Sequence, residues 1–375
     1  MTPPTPAPAL SLLVGADEFW RAAAADIARA RRRVLVQAMT FEGDAAGLRV
    51  ARAIAASAAA DRRVLVDSYT RYVVNDRFVR SRHYLTDAAF RGEVRRTHAM
   101  FASLAAAGIG VRRTNPTGMN PLTYAARNHK KLIVADDVAY VGGINFSDHN
   151  FAWHDLMLRI DCARSADFLA RDFALTFGGR ARLDSAVGAD VTLHALDGRT
   201  NADGFRPVFA AIGAARRRIV VVSPYLTFPF TGALEAAATR GVTVEIVTPS
   251  SNNKPIVRDH LIDHAMRAGF IVHALPTMSH MKAMLIDDER LILGSSNFDF
   301  ASYHAEEELI AIVDDPGIIA DFVARVLDPA IATARGHHAA PPPRWRAAHC
   351  HATLRLAAAG VARFAQPVRH AVDWR

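Results

Sequence analysis

Apolar positions along this chain follow two different periods, and the two periods alternate. A spacing of three to four residues, as in Phe19, Ala23 and Ile27, places apolar side chains on one face of a helix. Short continuous apolar runs between charged residues are typical of buried strands. The chain switches between these two patterns through most of its length, which predicts α/β layers with helices packed on largely buried sheets.

The predicted elements occur in a similar order in each half of the chain. In the first half we predict helices at Asp17–Ala30, Leu48–Ala59, Val94–Ala107 and Ala163–Phe177, and strands at Val34–Met39, Arg63–Ser68, Gly108–Thr114 and Leu132–Val134. In the second half we predict helices at Val208–Ala215, Gly232–Thr239 and Pro255–Ala268, and strands at Ile219–Ser223, Val242–Val247, Phe270–Ala274 and Met284–Ile286. A triplet of arginines precedes the first strand of each half, at Arg31–Arg33 and Arg216–Arg218. We therefore predict an internal duplication: two similar α/β halves related by a pseudo-twofold axis, with the active site between them.

The remaining segments predict where the two halves begin and end. We assign residues 10–177 to an N-terminal domain, 178–204 to a linker and 205–333 to a C-terminal domain. Residues 1–9 are rich in proline and predict a disordered leader, and the arginine-rich residues 334–375 predict a basic tail. The first half is longer, and its extra residues fall in the polar and aromatic stretch Tyr69–Arg96, for which a lid over the cleft is one interpretation.

One short motif, His-x-Lys-x4-Asp, occurs once in each half, in Asn128–Asp136 and in Ser279–Asp287. Side chains two residues apart on a strand point to the same face, so each copy presents an imidazole together with an ammonium group. The pairs are His129 with Lys131 and His280 with Lys282. A single His-x-Lys pair is usually ordinary surface polarity, but two copies with matching downstream features indicate a functional site.

Each copy is followed by a glycine turn, an asparagine and then an acid. The turns end at Asn145 and Asn297, and the acids are Asp155 and Glu308, 26 and 28 residues after the respective histidines. Such a turn offers backbone N–H groups and an amide close to the imidazole and the ammonium group.

Five other acidic or hydroxyl side chains in or near the motifs are interpreted as follows. Ser295 stands where the first copy has Gly143, so it is expected to add a hydroxyl to the phosphate site. Glu306 and Glu307 are interpreted as solvated neighbours. The last residues of the two motifs, Asp136 and Asp287, are grouped with the catalytic set, but their place at strand ends favours structural work.

The paired residues suit the cleavage of a phosphodiester by covalent catalysis. A free imidazole has a pKa near ~6.5, so one histidine can attack phosphorus while the other, protonated, donates to the leaving alkoxide. The lysines and asparagines would hold the non-bridging oxygens, and each acid would orient one imidazole. This chemistry calls for no metal and no cofactor.

The duplicated motif with both of its downstream features resembles the phospholipase D superfamily. The flanks resemble bacterial cardiolipin synthases, in the stretches Asn128–Val134, Gly142–Asn145, Trp153–Leu156, Ser223–Tyr225 and Gly294–Asp299. The resemblance covers roughly residues 10–330. It implies that His129 is the nucleophile and His280 the general acid, and that a phosphatidyl group passes to a second lipid such as phosphatidylglycerol. Hydrolysis to phosphatidic acid is the close alternative, and a nucleic-acid phosphodiesterase and a non-catalytic binder of phosphorylated surfaces are two further classes.

Composition bears on partners and location. A net charge of +8 favours an anionic partner, and the arginine-rich tail suits an anionic membrane. The apolar loop Tyr225–Phe230 suits acyl chains or a membrane surface, and core packing explains it equally well. Two cysteines cannot form a disulfide framework, and no uncharged apolar run reaches the ~18 residues of a membrane span. We expect a cytoplasmic monomer, peripheral on the inner face of the cell membrane, that acts on phospholipid and not on nucleic acid.

Overall fold

The computed structural model describes residues 9–116, 124–337, 339–368 and 370–374. The elements of the first half are β1 (Ala9–Val14), α1 (Gly15–Arg29), β2 (Arg33–Ala38), α2 (Ala45–Ala56), β3 (Asp61–Asp67), α3 (Tyr69–Tyr72), β4 (Val73–Val74), β5 (Arg77–Phe78), α4 (Arg82–Thr86), α5 (Ala88–Ala106), β6 (Gly110–Thr114), β7 (Leu132–Ala135), β8 (Val138–Gly142), α6 (Asp148–Ala152), β9 (Leu156–Asp161) and α7 (Ala163–Phe177).

The elements of the second half are β10 (Asp184–Val187), β11 (Val191–Ala195), α8 (Asn201–Gly204), α9 (Arg206–Ala214), β12 (Arg218–Val222), α10 (Phe230–Thr239), β13 (Thr243–Pro249), α11 (Pro255–Arg267), β14 (Ile271–Leu275), β15 (Ala283–Ile286), β16 (Arg290–Gly294), α12 (Phe300–His304), β17 (Leu309–Val313), α13 (Pro316–Phe322), a π-helical turn (Val323–Leu327) and α14 (Asp328–Ala334). Two elements follow, α15 (Arg344–Phe364) and β18 (Ala371–Asp373).

The two large sheets repeat one topology, which confirms the predicted duplication. Their strand orders are β1-β9-β8-β7-β2-β3-β6-β18 and β10-β11-β17-β16-β15-β12-β13-β14. In each sheet one parallel trio, β2-β3-β6 or β12-β13-β14, continues into antiparallel strands through the strand that follows the motif, β7 or β15. Each motif therefore lies at the centre of its own sheet.

Alternation along the central strands produces the layers. Leu132 and Val134 of β7 lie in a core that also contains Ala283 and Leu285 of β15, so the inner faces of the sheets share this core with α7 and α13. The intervening side chains, such as Ile133, pack against the outer helices of their own half. Because the sheets are packed inner face to inner face, the beginnings of both motif strands are brought to one site.

The two motif aspartates hold backbone at the far ends of β7 and β15. The carboxylate of Asp136 accepts hydrogen bonds from the backbone N–H groups of Arg31, Arg32 and Arg33, at 2.8–2.9 Å. Asp287 accepts from Arg216, Arg217 and Arg218 in the same way, at 2.8–3.0 Å. Each aspartate is separated from its histidine by the length of a strand, so its grouping with the catalytic residues is wrong and the structural expectation fits.

Three predicted segment boundaries differ from the structure. The predicted linker 178–204 contains β10 and β11, and β11 pairs with β17 inside the second sheet. The predicted leader 1–9 is described only at Ala9, which begins β1, and residues 1–8 lie outside the described residues. The predicted basic tail is folded: α15 packs on α11 and α12, and β18 extends the first sheet beside β6. Trp374 is buried next to Phe101, with ring centroids 4.2 Å apart, so this tryptophan belongs to the core of the first half.

The first-half insertion borders the cleft between the halves. It forms α3, the hairpin β4–β5, α4 and the beginning of α5, and Asp76 in the hairpin turn accepts a hydrogen bond from Asn253 of the second half at 3.2 Å. The loop Tyr225–Phe230 is largely buried, and Leu226 and Phe230 belong to the core of the second half, which favours the core-packing interpretation. Among the described residues, no helix is both long enough and apolar enough to cross a bilayer.

Candidate active site

The segments that carry the two histidines pair with the opposite half of the molecule. The backbone N–H of His129 donates to the carbonyl of Glu307 at 2.9 Å, and that of His280 donates to the carbonyl of His154 at 2.8 Å. These contacts belong to two reciprocal parallel bridges, which join Asn128 to Glu307 and His154 to Ser279. Each histidine is thereby held beside the segment that carries the acid of the other half.

Each imidazole is hydrogen-bonded to the acid of the opposite half. Nδ1 of His129 lies 2.9 Å from Oε1 of Glu308, and Nδ1 of His280 lies 2.9 Å from Oδ2 of Asp155. A carboxylate that accepts from Nδ1–H leaves Nε2 as the basic nitrogen, and both rings line one cavity of about 120 Å³. Neither half could form this arrangement alone.

The two motif lysines are buried beneath the histidines. Nζ of Lys131 donates to the backbone carbonyl of His129 at 2.7 Å. Nζ of Lys282 donates to the carbonyl of His280 and lies 2.9 Å from its Nδ1. The ammonium groups therefore supply positive charge next to both rings within the protein interior, where charge interacts more strongly than in water.

The two motif asparagines line the same small cavity as the histidines. Oδ1 of Asn145 accepts from the backbone N–H of Thr40 at 3.2 Å, which fixes the orientation of that amide. Asn297 is buried, and its Oδ1 has no hydrogen-bond partner among the described residues. Both amides are positioned to contact a bound phosphodiester.

Ser295 contacts an orienting acid and not the cavity, contrary to the expected substrate contact. Its hydroxyl donates to Oε2 of Glu308, and the side chain is fully buried behind that carboxylate. Its counterpart Gly143 is packed so closely on Asp155 that an added Cβ would lie 2.3 Å from Oδ1. The halves therefore differ in how firmly their acids are held: Glu308 has a hydroxyl donor that Asp155 lacks.

Sequence reasoning missed several residues of this cavity. Glu306 and Glu307 are buried and not solvated, and Oε2 of Glu306 lies 3.9 Å from Nδ1 of His129. Trp153 and Tyr225 stand against the ring of His280, with centroids 5.3 and 5.9 Å away. The polar group Asn252–Lys254 after the parallel strand β13 was the available signal for Lys254, because ligands of α/β sheets bind at the carboxyl ends of such strands.

Lys254 extends the positive charge of the site to the rim of the small cavity. Its ammonium lies 4.2 Å from the centroid of the Tyr225 ring. Burial alone would lower the pKa of Lys254, but Tyr225, Asp299 and Glu306 raise it. A third cation thus stays charged at neutral pH beside the two histidines.

Burial dominates the titration of the central groups. It lowers the pKa of His129 to about 4 and, together with the nearby ammonium groups, holds the pKa of His280 well below its usual range. It also lowers the pKa of Lys131 to about 8 and that of Lys282 to about 7. In the unliganded site both rings are therefore neutral near pH 7, and a bound phosphodiester anion is needed to favour a protonated ring.

The two orienting acids titrate differently. Burial raises the pKa of Asp155 to about 6, against the opposing effect of Lys282. Burial would also raise the pKa of Glu308, but His129, Lys131 and the Ser295 hydroxyl hold it below the ordinary value. Glu308 is therefore a permanent carboxylate at neutral pH, whereas Asp155 is close to exchanging a proton.

Three groups around His129 could also chelate a cation. Donor atoms of His129, Glu306 and Glu308 lie within 4.8 Å of one another and are all buried, and Glu42, Asp44 and Glu93 form a second such group among the described residues. In the first group, Glu308 already accepts from His129 and from the hydroxyls of Ser295 and Ser302. A cation would have to displace these hydrogen bonds, so we assign the carboxylates to orientation of His129.

Removing the Ser295 hydroxyl should lower the turnover rate without weakening substrate binding. Ser295→Ala deprives Glu308 of a charge-assisted hydrogen bond, so we expect kcat to fall about 10- to 100-fold with KM nearly unchanged. The pKa of Glu308 should rise, because one of the hydrogen bonds that oppose the effect of burial is lost. Ser57→Ala, which removes a buried hydroxyl remote from the site, is the matched control. A raised KM with unchanged kcat would instead show that Ser295 contacts the substrate.

The pH profile of kcat/KM should be a narrow bell. Asp155 is ionised only above a pKa of about 6, so the acid limb reports loss of its hold on His280 as the pH falls through that value. Lys282 and Lys131 carry charge only below pKa values of about 7 and about 8, so activity falls again as the pH rises through them. Initial rates on a soluble phosphodiester would measure both limbs, whose apparent pKa values belong to the coupled set. A profile that stays flat across this range would contradict the assignment.

Comparison with known proteins shows which families this chain resembles. Residues 208–327 match the family model described as "Cardiolipin synthase, PLD-like domain". The minor cardiolipin synthase ClsB of Bacillus subtilis is 27% identical over 225 residues, which covers 53% of this chain and 55% of that protein. Cardiolipin synthase A of Yersinia pseudotuberculosis is 28% identical over 237 residues, with coverages of 55% and 48%. The matches thus span about half the length of these curated relatives.

Solved structures extend the likeness to the whole chain at the level of fold. Phosphatidylserine synthase from Haemophilus influenzae matches with a TM-score of 0.69 and 14% identity, covering 95% of both chains. A polyphosphate kinase from Porphyromonas gingivalis matches with a TM-score of 0.57 and 12% identity, covering 93% of this chain and 53% of the kinase. Such low identities show the fold alone.

The two-sheet fold, the duplicated His-x-Lys motif and the family match together define the class of protein. Residues 208–327 match the PLD-like domain family, and the similarity to two curated cardiolipin synthases supports a relationship of the chain to the phospholipase D superfamily.

Proposed function

We propose that the protein is a phosphatidyltransferase of the cardiolipin synthase type. The observation that carries the proposal is the pair of imidazoles, each held by an acid of the opposite half and both lining one cavity. The match to cardiolipin synthases supports phospholipid as the substrate class. Phosphatidylglycerol is the donor that we propose, with the hydroxyl of a second phosphatidylglycerol as the acceptor.

The first half-reaction transfers the phosphatidyl group to the protein. Binding of the phosphodiester anion favours protonation of His280 at Nε2. Nε2 of His129 then attacks phosphorus, the bond from phosphorus to the glycerol oxygen breaks, and His280 donates that proton to the leaving alkoxide. Glycerol departs and a phosphohistidine remains. The permanent carboxylate of Glu308 favours His129 for this role, because it stabilises the positive charge that the phosphorylated ring would otherwise bear unpaired in a buried site.

The second half-reaction returns His129 to its starting state. The hydroxyl of the second lipid gives its proton to His280, its oxygen bonds to phosphorus, and the bond from phosphorus to Nε2 of His129 breaks. Asp155, with its pKa near 6, suits a ring that must gain and lose a proton in each cycle. Lys131, Lys282 and the asparagine amides would stabilise the charge on the non-bridging oxygens in both steps.

Surface features support action at an anionic membrane. The net charge is +8, and α15 exposes Trp345 and Leu356, whose side chains are 73% and 75% accessible, among several arginines. We place the protein, as a monomer, peripherally on the cytoplasmic face of the cell membrane. Sedimentation with anionic but not with neutral vesicles is the expected result, and equal sedimentation with both would contradict this placement.

Product analysis from vesicles of labelled phosphatidylglycerol should show diphosphatidyl product and free glycerol. Transfer requires that a lipid hydroxyl, and not water, reaches the phosphohistidine, so an added alcohol should divert the product to its own phosphatidyl ester. His129→Asn protein is the control for contaminating activity. Phosphatidic acid as the only product would mean hydrolysis. No lipid turnover together with cleavage of oligonucleotides would replace this proposal by a nucleic-acid phosphodiesterase.

A further inference from the structure

A second and larger cavity adjoins the catalytic one. It has a volume of about 540 Å³, within the range of roughly 300–1,000 Å³ typical of ligand pockets. The two cavities share Met39, Tyr69, Lys254, Ala301 and Glu306 as lining residues. A molecule whose phosphorus lies between the histidines would therefore need to pass only these shared residues to reach the larger cavity.

The walls of the larger cavity are mainly apolar. Tyr124 and Phe300 contribute rings, and one side of the cavity is a face of α15, with Ala357, Gly360 and Val361. An added Cβ on Gly360 would meet no atom within 4 Å, so the space above this glycine is open. The helix lies outside the residues matched by the family model, so this wall is contributed by the C-terminal segment.

Charge in the larger cavity is confined to Arg127, Lys254 and Glu306, and two of these three residues also line the catalytic cavity. At the other end Phe364 lines the cavity while 60% of its side chain is accessible to solvent, so this ring stands at an opening. Leu356, also highly exposed, lies two helical turns earlier on α15. The cavity thus runs from a charged inner end to an apolar surface.

We infer that this cavity binds one acyl chain of the donor phospholipid. This inference rests on the proposed function, because it places the phosphodiester at His129 and His280. The occupant follows from the order of chemistry along the path: phosphorus at the histidines, polar ester and glycerol atoms near Lys254, and then an apolar chain against α15. The exposed ring of Phe364 at the opening, with the exposed Leu356 on the same helix, matches a lipid surface from which a chain can enter.

Chain-length dependence of binding tests the inference directly. His129→Asn protein, which cannot form the covalent intermediate, would be titrated by calorimetry with monomeric dihexanoyl-, diheptanoyl- and dioctanoyl-phosphatidylglycerol. Each step adds one methylene per chain, so one buried chain should tighten binding about fourfold per step, and two buried chains about 16-fold. A step near fourfold supports one chain in the cavity. A flat series or a 16-fold step overturns that inference.

Filling the cavity from α15 tests where the chain lies. Gly360→Leu projects into the open space, and Ala362→Leu on the exposed side of the same helix is the matched control. We expect Gly360→Leu to weaken dioctanoyl binding at least tenfold and to abolish the chain-length steps, while Ala362→Leu changes neither. Unchanged turnover of a small soluble phosphodiester by Gly360→Leu protein would show that the active site is intact. Normal lipid binding by that variant would place the chain elsewhere and overturn the inference.

The same measurements separate this inference from the proposed reaction. Vesicle transfer combined with a flat binding series would overturn the acyl site and leave the transferase standing. Fourfold steps without any transfer would support the acyl site and leave hydrolysis or another phospholipid reaction. Tighter binding of oligonucleotides than of dioctanoyl lipid, with loss of that binding in Gly360→Leu, would assign the aromatic walls to base stacking and overturn the inference.

Discussion

His129→Asn should abolish turnover of every phosphodiester, whereas His280→Asn should leave the cleavage of phosphodiesters with a good leaving group largely intact. In the proposed mechanism His129 forms the covalent bond, so His129→Asn should cost at least about 10⁴-fold in kcat on lipid and on activated diesters alike. The proposed role of His280 is to supply a proton, which a p-nitrophenolate leaving group does not need. His280→Asn should therefore cost about 10²–10⁴-fold on lipid and much less in the first step on a p-nitrophenyl diester.

Rapid-quench measurements would separate the two roles. With the p-nitrophenyl diester, His280→Asn protein should release a burst of p-nitrophenol and accumulate an acid-labile phosphoenzyme, because the second half-reaction still needs a base. His129→Asn protein should show neither. Folding of both variants would be checked by their denaturation midpoints. A burst from His129→Asn protein and none from His280→Asn protein would exchange the two assignments.

Cross-half pairing of the acids explains why the candidate active site needs residues from both halves. Glu308 lies on the second half but orients His129 of the first, and Asp155 does the reverse for His280. Any change in the packing of the two sheets would therefore alter both imidazoles together. The shared core between the sheets thus sets the geometry of the site as well as the stability of the fold.

Local patterns predicted the parts of this site that depend on local structure. Apolar runs and helical spacing predicted the repeated order of strands and helices, because burial imposes those periods along the sequence. The motif residues His129, Lys131, His280 and Lys282 were identified because the same spacing occurs twice. The acids were identified as orienting groups, but their crossed partners depend on how the two sheets are packed, which no local period records.

The sequence predictions are wrong for residues whose role depends on burial between the two halves, because no local pattern records that packing. Glu306 and Glu307 appeared to be solvated because a run of acids usually is, yet the docking of the first half covers them. Ser295 was assigned to the phosphate because its glycine turn faces the site, while its hydroxyl turns toward Glu308. The final strand Ala371–Asp373 is only three residues long, and nothing local marks it until the edge of β6 is available to pair with it.

Lys130, the buried lysine between His129 and Lys131, shows what strand alternation can and cannot predict. Lys130 must point away from His129 and Lys131, toward the core between the sheets, where the second copy has the fully buried Met281. The alternation thus predicts an apolar residue at position 130. The structure supplies the reason for a lysine: Nζ of Lys130 donates to both carboxylate oxygens of Asp172 on α7, at 2.7 and 2.8 Å.

Lys130→Met should therefore be strongly destabilising although it copies the second half. It leaves the carboxylate of Asp172 buried without its partner, and we expect the free energy of unfolding to fall by about 3–5 kcal/mol. Adding Asp172→Leu should recover most of that loss, because two apolar side chains then replace the pair. Arg290→Met, at the exposed pair with Asp314, should cost at most about 1 kcal/mol and is the control. Urea denaturation measures all four proteins, and a Lys130→Met variant no less stable than Arg290→Met would show that this buried pair contributes nothing to the packing of α7 on the sheet.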